Sequence, residues 1–262
     1  MNTSVMALPN SKAKLQERLQ AGRITWTWPV IIVFARLIFA MLAQTLIAGL
    51  YMLQGNPMPW QAAAPWWIVY GTLIDISCLV LLAWLTRREG IRLFDLISFE
   101  RQRLGRDLLL GVGFIVLFLI LFFAGGMIFA PLIYGTTQAP SPFGELPLWG
   151  ALYSLLVWPI IWGIAEQITY QGYSLPRLDI LSGRGWLAVF IVCVGWSIQH
   201  SALPLMPDWQ WVVYRFASTL PIAIVVPIVY LRTRRLLPFI IAHWAVDFGS
   251  VLMLVVLPLM AS

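Results

Sequence analysis

An all-α, polytopic transmembrane helix bundle of about seven spans, with its N-terminus in the cytoplasm, is the fold class that this sequence predicts. Composition is the first reason. Of 262 residues, 60% are hydrophobic and 11% charged, whereas soluble domains carry about a quarter charged. That leaves too little polar surface to cover a soluble particle of this size. The second reason is a series of apolar runs near the ~20 residues that a helix needs to cross a bilayer. The third is the distribution of basic residues, which cluster before or between alternate runs.

The tail to Trp28 is polar, and its stretch Ser11–Gln20 reads as a short surface helix. Span-length runs follow at 29–50, 66–86, 107–132, 147–170, 186–205, 211–231 and 236–257. Turn-forming stretches such as QGNPMP (54–59), GTTQAPSP (135–142) and PLMPD (204–208) separate several of them, because Gly and Pro punctuate helices. The first run is span-length and lacks a small-residue cleavage site behind a short core, so no cleavable signal is expected. Lys12, Lys14, Arg18 and Arg23 precede the first span, and Arg87, Arg88, Arg92, Arg101, Arg103 and Arg106 separate the second from the third. Arg177 and Arg184 follow the fourth, and Arg232, Arg234 and Arg235 the sixth. Fifteen of seventeen basic residues thus share one side of an alternating bundle, and the opposite loops hold none. Positive residues stay cytoplasmic, so the N-terminus is inside and the C-terminus outside. The segment Ile91–Arg106 is charged and amphipathic enough to lie along the inner surface.

The net charge of +6 therefore records topology, with some attraction for anionic lipid, and the arginines form no single face for nucleic acid. Cys78 and Cys193 both lie inside apolar runs, which excludes a disulfide framework or a CxxC site.

Charge inside a bilayer costs roughly 2.5–3.5 kcal/mol per residue on insertion scales, so each instance is a functional hypothesis. The spans hold Arg36, Asp75, Glu166, His200, Arg215, His243 and Asp247. Arg36 and Arg215 lie near segment ends, where snorkelling or pairing is expected. Asp75 is mid-span, and a structural pair with Arg36 is its expected role. The other four come with a pattern. Glu166 is followed by Gln167 and Gln171 on a polar stripe of the fourth span, His200 closes WSIQH in the fifth, and His243 and Asp247 are four apart in HWAVD. Residues four apart share a helix face. Both histidines of the chain and two carboxylates on three spans point to one shared site.

A carboxylate with imidazoles can activate water, either directly as a general base or through a bound metal. A histidine or a protonated acid can then stabilise the oxyanion of a tetrahedral intermediate. That set suits amide hydrolysis, and the same residue types would also serve a proton-coupled transporter as a relay. Other intramembrane hydrolase schemes fit worse. There is no HExxH helix, Asp75 and Asp247 stand in no GxGD setting, and Ser197 has no glycine-flanked nucleophile motif.

In order and spacing the three blocks resemble the CPBP family, which includes the CAAX prenyl endopeptidases of the Ras-converting type and bacterial relatives linked to bacteriocin immunity. The family's EExxxR reads here Glu166-Gln167-Ile-Thr-Tyr-Gln171, its FxxxH reads Trp196-Ser-Ile-Gln-His200, and its HxxxN, with Asp last in some members, reads His243-Trp-Ala-Val-Asp247. The likeness runs from about Leu146 to the C-terminus. It divides the chain into a cytoplasmic tail (1–28), an accessory region of three spans plus the segment 91–106 (29–145), and a catalytic core of four spans (146–262).

The resemblance implies an intramembrane endopeptidase whose site opens toward the cytoplasm. Glu166 would be the base that activates water, His200 would assist, and His243 and Asp247 would orient or stabilise the intermediate, with Gln167 and Gln171 in support. Glu166, His200 and His243 also make a feasible zinc set, so a divalent metal stays open as a cofactor. Gln167 and Gln171 replace a glutamate and an arginine, and Trp196 replaces a phenylalanine. Those departures keep a second reading open, a catalytically silent member acting as a membrane binding or immunity protein. The expected setting is a cell membrane of the bacterial cytoplasmic type. The expected partners are the bilayer and a membrane-associated peptide or protein substrate, with no nucleic acid.

Depth poses a problem for a shared site. If the fourth span ends near Tyr173, Glu166 lies about 10 Å below the inner surface, while His200 lies about 20 Å deep at 1.5 Å per residue. The expected solution is that the link Tyr173–Gly185 dips into the bilayer as irregular backbone and forms the cytoplasm-facing mouth.

Overall fold

The computed structural model describes residues 8–261; the first seven residues of the tail expected at 1–28, and Ser262, lie outside them. Among the described residues there is no strand beyond one isolated bridge, between Ala202 and Leu205. Helix α1 (Lys12–Gln20) is the surface helix expected in the tail, capped by Ser11, whose hydroxyl accepts from the Lys14 amide. The bundle begins with α2 (Thr27–Leu53), then α3 (Pro59–Ala63), α4 (Trp67–Arg88) and α5 (Leu104–Tyr134). It continues with α6 (Leu148–Leu156), α7 (Trp158–Gln167), a π-helical stretch Ile168–Ser174, and α8 (Leu175–Ser182). Helices α9 (Gly185–Ser201), α10 (Trp209–Thr233) and α11 (Leu237–Val251) follow, and α11 runs through a second π-helical stretch, Leu252–Val256, into α12 (Leu257–Ala261).

Five helical stretches are long and apolar enough to cross a membrane: Thr27–Leu53, Pro59–Arg88, Leu93–Tyr134, Trp209–Thr233 and Leu237–Ala261. The pair Leu148–Leu156 and Trp158–Ser182 makes a sixth, bent by 43°. The break falls at Val157, just before Pro159 at the start of α7, where proline brings no amide and its ring crowds the preceding turn. Helix α9 is apolar but only 17 residues long. All seven expected segments are thus helices, with the fourth broken and the fifth short. The chain is an integral membrane protein with an all-α, polytopic bundle.

The basic loops meet at one end of the bundle. Arg177 of α8 grips Glu89 through Nε and Nη2, both at 2.6 Å, and Arg18 of α1 reaches the same carboxylate at 3.2 Å. Arg234 pairs with Asp179 at 2.6 Å, and Arg235 bonds Asp107, Glu100 at 2.6 Å and the Ser98 carbonyl at 3.0 Å. The segment expected to be one amphipathic stretch, Ile91–Arg106, is instead two 3₁₀ turns, Leu93–Ile97 and Arg101–Arg103, leading into α5. Gly90 and Ser98 sit at positive φ, +79° and +55°, which breaks a continuous helix on both sides of the first turn.

The link Tyr173–Gly185 does not dip as irregular backbone. It is helical through Ser182, and Tyr173 to Leu178 are all buried. Pro176 supplies no amide to the turn before it, and the Gly172 carbonyl in that turn accepts instead from Asn10 Nδ2 at 2.6 Å. Continuing the helix removes the depth problem. Glu166 lies 16 residues before Ser182 and His200 lies 15 after Gly185, so the two stand level in the bundle.

Three glycines let the central helices close together, as small residues do in membrane bundles. A Cβ on Gly195 of α9 would clash with Val33 Cγ1 of α2. One on Gly71 of α4 would lie 3.0 Å from Trp158 and 3.2 Å from Trp162 of α7, and one on Gly163 of α7 would lie 3.3 Å from the Trp244 backbone nitrogen of α11. One helical turn beyond these glycines come Gln199, Asp75 and Glu166, so each close crossing delivers a polar side chain to the same place.

Candidate active site

At that place five helices, α2, α4, α7, α9 and α11, contribute to one polar cluster around Glu166, which is fully buried at the end of α7. Its Oε2 lies 3.1 Å from His243 Nε2, and the same imidazole nitrogen lies 3.5 Å from Asp247 Oδ2. On the other side of the ring, Gln167 Nε2 lies 3.1 Å from His243 Nδ1. An amide NH₂ is a donor, so Nδ1 accepts and the neutral ring carries its proton on Nε2, facing the two carboxylates. Phe118 of α5 packs against the ring at 5.9 Å.

The Oε1 side of Glu166 is held differently. Gln199 Nε2 donates to it. The carbonyl of the same amide accepts from Arg36 Nε at 2.7 Å and from the Tyr170 hydroxyl at 2.8 Å. Arg36 Nη1 in turn donates to Asp75 at 2.8 Å, and its Nε lies 3.9 Å from Glu166. Tyr170 stacks on Trp196, with ring centroids 5.6 Å apart. The aromatic residue that opens the second block therefore supports the tyrosine that bonds Gln199.

Of the residues singled out in the sequence, Glu166, Gln167, His243 and Asp247 meet directly. His200 does not touch them by hydrogen bond. Its Nδ1 donates to the Trp196 carbonyl at 2.8 Å, and the ring lies within electrostatic reach of Glu166 and His243. Gln171 is fully buried, and neither atom of its amide makes a hydrogen bond. Among the described residues, no three His, Cys, Asp or Glu side chains converge to hold a metal ion. Glu166, His200 and His243 are not gathered as a zinc set.

Arg36 does not snorkel but takes the other expected course and pairs with Asp75 at 2.8 Å; it is wholly buried, lies over the face of Trp162 at 4.3 Å, and reaches the cluster around Glu166. Arg215 is structural, donating to the carbonyls of His200 and Leu203 at 3.2 and 3.1 Å and so capping the end of α9. At the basic end, Arg18 of α1 and Arg177 both bond Glu89. The site's exposed edge is on α11, where the side chains of His243 and Asp247 are 10% and 16% exposed. Gln199 and Tyr170 were missed, because a search for ionisable groups passes over a neutral amide and a phenol. A glutamine deep in an apolar span was the available signal for the first.

Residues 148–249 match the sequence model of a family described as type II CAAX prenyl endopeptidase Rce1-like. No curated protein and no solved structure matches the chain. The match takes in Glu166, Gln199, His200, His243 and Asp247, and leaves out Arg36 and Asp75.

Proposed function

We propose, from the match of residues 148–249 to the Rce1-like type II CAAX prenyl endopeptidase family, that the protein is an intramembrane endopeptidase in which Glu166 activates water. The observation that carries this reading is the asymmetry of the Glu166 carboxylate. Gln199 occupies Oε1, while the only partner of Oε2 among the described residues is His243 Nε2, at 3.1 Å. A base needs such an oxygen within reach of the proton it abstracts.

In the proposed reaction a water donates a proton to Glu166 Oε2, and its oxygen forms a bond to the carbonyl carbon of the scissile amide. His243 Nε2–H donates to the oxygen that becomes negative, while Gln167 behind the ring at Nδ1 holds it in place; Asp247 Oδ2 flanks the donating nitrogen at 3.5 Å. The proton on Glu166 passes to the amide nitrogen as the C–N bond breaks, leaving a carboxylic acid and a free amine. His200, with Nδ1–H committed to Trp196, presents Nε2 as an acceptor that orients the water. The substrate is a membrane-associated peptide or protein, and the setting is a cell membrane.

The test is cleavage by the full chain reconstituted in liposomes, with prenylated and unprenylated peptides offered side by side. Wild type should cleave at least one of them, and Glu166→Gln and His243→Ala should each lower the rate by about 10²–10⁴-fold, the range of a lost acid–base group. Equal cleavage by wild type and Glu166→Gln would sink the assignment. A phenotype in cells that survives Glu166→Ala would instead mark a silent binding or immunity protein.

A further inference from the structure

Arg36 and Asp75 come from α2 and α4, outside the region that matches the peptidase family, yet they end on the same carboxylate as the residues inside it. We infer that Arg36, fixed by Asp75, is a positioning residue that holds Glu166 through Gln199, so that the catalytic region depends on the first two spans. The inference rests on the peptidase reading for its consequence in catalysis, and its geometry stands apart from that reading.

The amide of Gln199 has one orientation available. Its Oε1 accepts from the Arg36 guanidinium at 2.7 Å, which can only donate, and from the Tyr170 hydroxyl at 2.8 Å, whose other acceptor is the Gly195 carbonyl at 3.4 Å. Turning the amide over would set NH₂ against an arginine that can only donate. With the carbonyl so committed, Nε2 must face Glu166, and that contact is observed. Arg36 is itself immobile. Asp75 holds Nη1 at 2.8 Å, Gln199 holds Nε, and Trp162 covers the planar face at 4.3 Å. A guanidinium gripped at two edges and one face has no free rotamer, which an ammonium would not reproduce.

The division of labour follows from the distances. Arg36 stands 2.8 Å from Asp75 and 3.9 Å from Glu166, so its tight ion pair is with Asp75. Gln199, a neutral relay, passes the constraint to Glu166 Oε1. Glu166 is therefore held in one rotamer, with Arg36 at 3.9 Å from Oε1 rather than in tight contact and with Oε2 facing His243. The crossings serve this arrangement: Gly195 admits α2 to α9 one turn from Gln199, and Gly71 admits α4 to α7 one turn from Asp75.

The test uses the full chain with two readouts. The first is kinetic. Arg36→Lys and Gln199→Leu should each lower kcat by about 10²-fold, the scale of a misplaced catalytic group, with KM little changed. The double variant should lose no more than the worse single one, because Arg36 acts through Gln199. The second readout does not need turnover: the infrared carboxylate stretch of Glu166, identified as the band lost in Glu166→Gln, should move in both single variants. Replacing the ion pair as a unit, Arg36→Met with Asp75→Leu, guards against misfolding caused by one unpaired charge, and should give the same two results. An unmoved band in these variants, or additive losses in kcat, would overturn the inference. A moved band in a protein whose wild type cleaves nothing would uphold the positioning and sink the peptidase reading instead.

Discussion

Gln167 and His243 face each other across the contact of α7 and α11, with 3.1 Å between the amide nitrogen and Nδ1. The position at which the family motif carries a second glutamate thus supplies a donor, and the donor selects the Nε2–H form of the ring that points at Glu166 and Asp247. Gln167→Leu should leave Nδ1 buried without a partner, at a cost of about 1–3 kcal/mol in stability. It should also lower cleavage, because the ring loses its tautomer preference. Gln167→Glu should move the proton to Nδ1. Nitrogen-15 NMR of the imidazole reads the tautomer, and a ring protonated at Nδ1 in the unsubstituted protein would refute the assignment.

The contact between Gly195 and Val33 makes a second prediction. A methyl at residue 195 would clash with Val33 Cγ1 and meet the Val33 carbonyl at 2.9 Å, so α2 and α9 must separate. Gly195→Ala should destabilise the protein by about 1–3 kcal/mol, the usual cost of overpacking. Cleavage should fall as Arg36, three residues after Val33, leaves Gln199. Adding Val33→Ala relieves the nearer clash and should restore part of both losses. Thermal unfolding in detergent and initial rates check the pair; a fully tolerated Gly195→Ala would show that the crossing has room.

Much of this arrangement was legible in the sequence, for a physical reason: charge in a bilayer is costly, so the few buried ionisable residues stand out against the apolar background. Glu166, His243 and Asp247 were found that way, and the one-sided arginines foretold the end at which Arg18, Arg177 and Arg235 are gathered. What was missed was neutral or irregular. Gln199 and Tyr170 carry no charge. The π-helical stretch Ile168–Ser174 is followed by Pro176 without ending the helix, so a span judged to stop near Tyr173 runs on to Ser182. Arg36 and Asp75 were read as a structural pair because their spacing, 39 residues apart on different helices, says nothing of what stands between them and Glu166.

Glu89 is the pivot of the basic end, since it is buried and accepts from both Arg177 and Arg18. Glu89→Gln should leave two guanidiniums without their carboxylate, and breaking a buried pair costs about 3–5 kcal/mol. The expected local consequence is release of α1, whose Arg18 loses its anchor. Limited trypsin digestion should then cut at Lys12 or Lys14 far sooner than in the unsubstituted protein. Identical digestion rates would show that Asn10 and its bond to Gly172 suffice to hold α1 down.

His200 offers a comparison between its two ring nitrogens. Nδ1 donates to the Trp196 carbonyl at 2.8 Å, one turn back on α9, so the neutral ring presents Nε2 as an acceptor. The amide of Asn places its terminal atoms near where Nδ1 stands, and the longer Gln reaches the position of Nε2. If His200 served only to tie down its own helix, His200→Asn would be the milder change. The proposed role in orienting water requires the reverse. His200→Gln should retain a tenth or so of the rate, and His200→Asn should lose about 10²–10⁴-fold, the span of a lost acid–base group. Both variants should unfold at similar temperatures. Initial rates and thermal melts on the same preparations decide it: a more active Asn variant would remove His200 from the reaction and leave it a structural residue of α9.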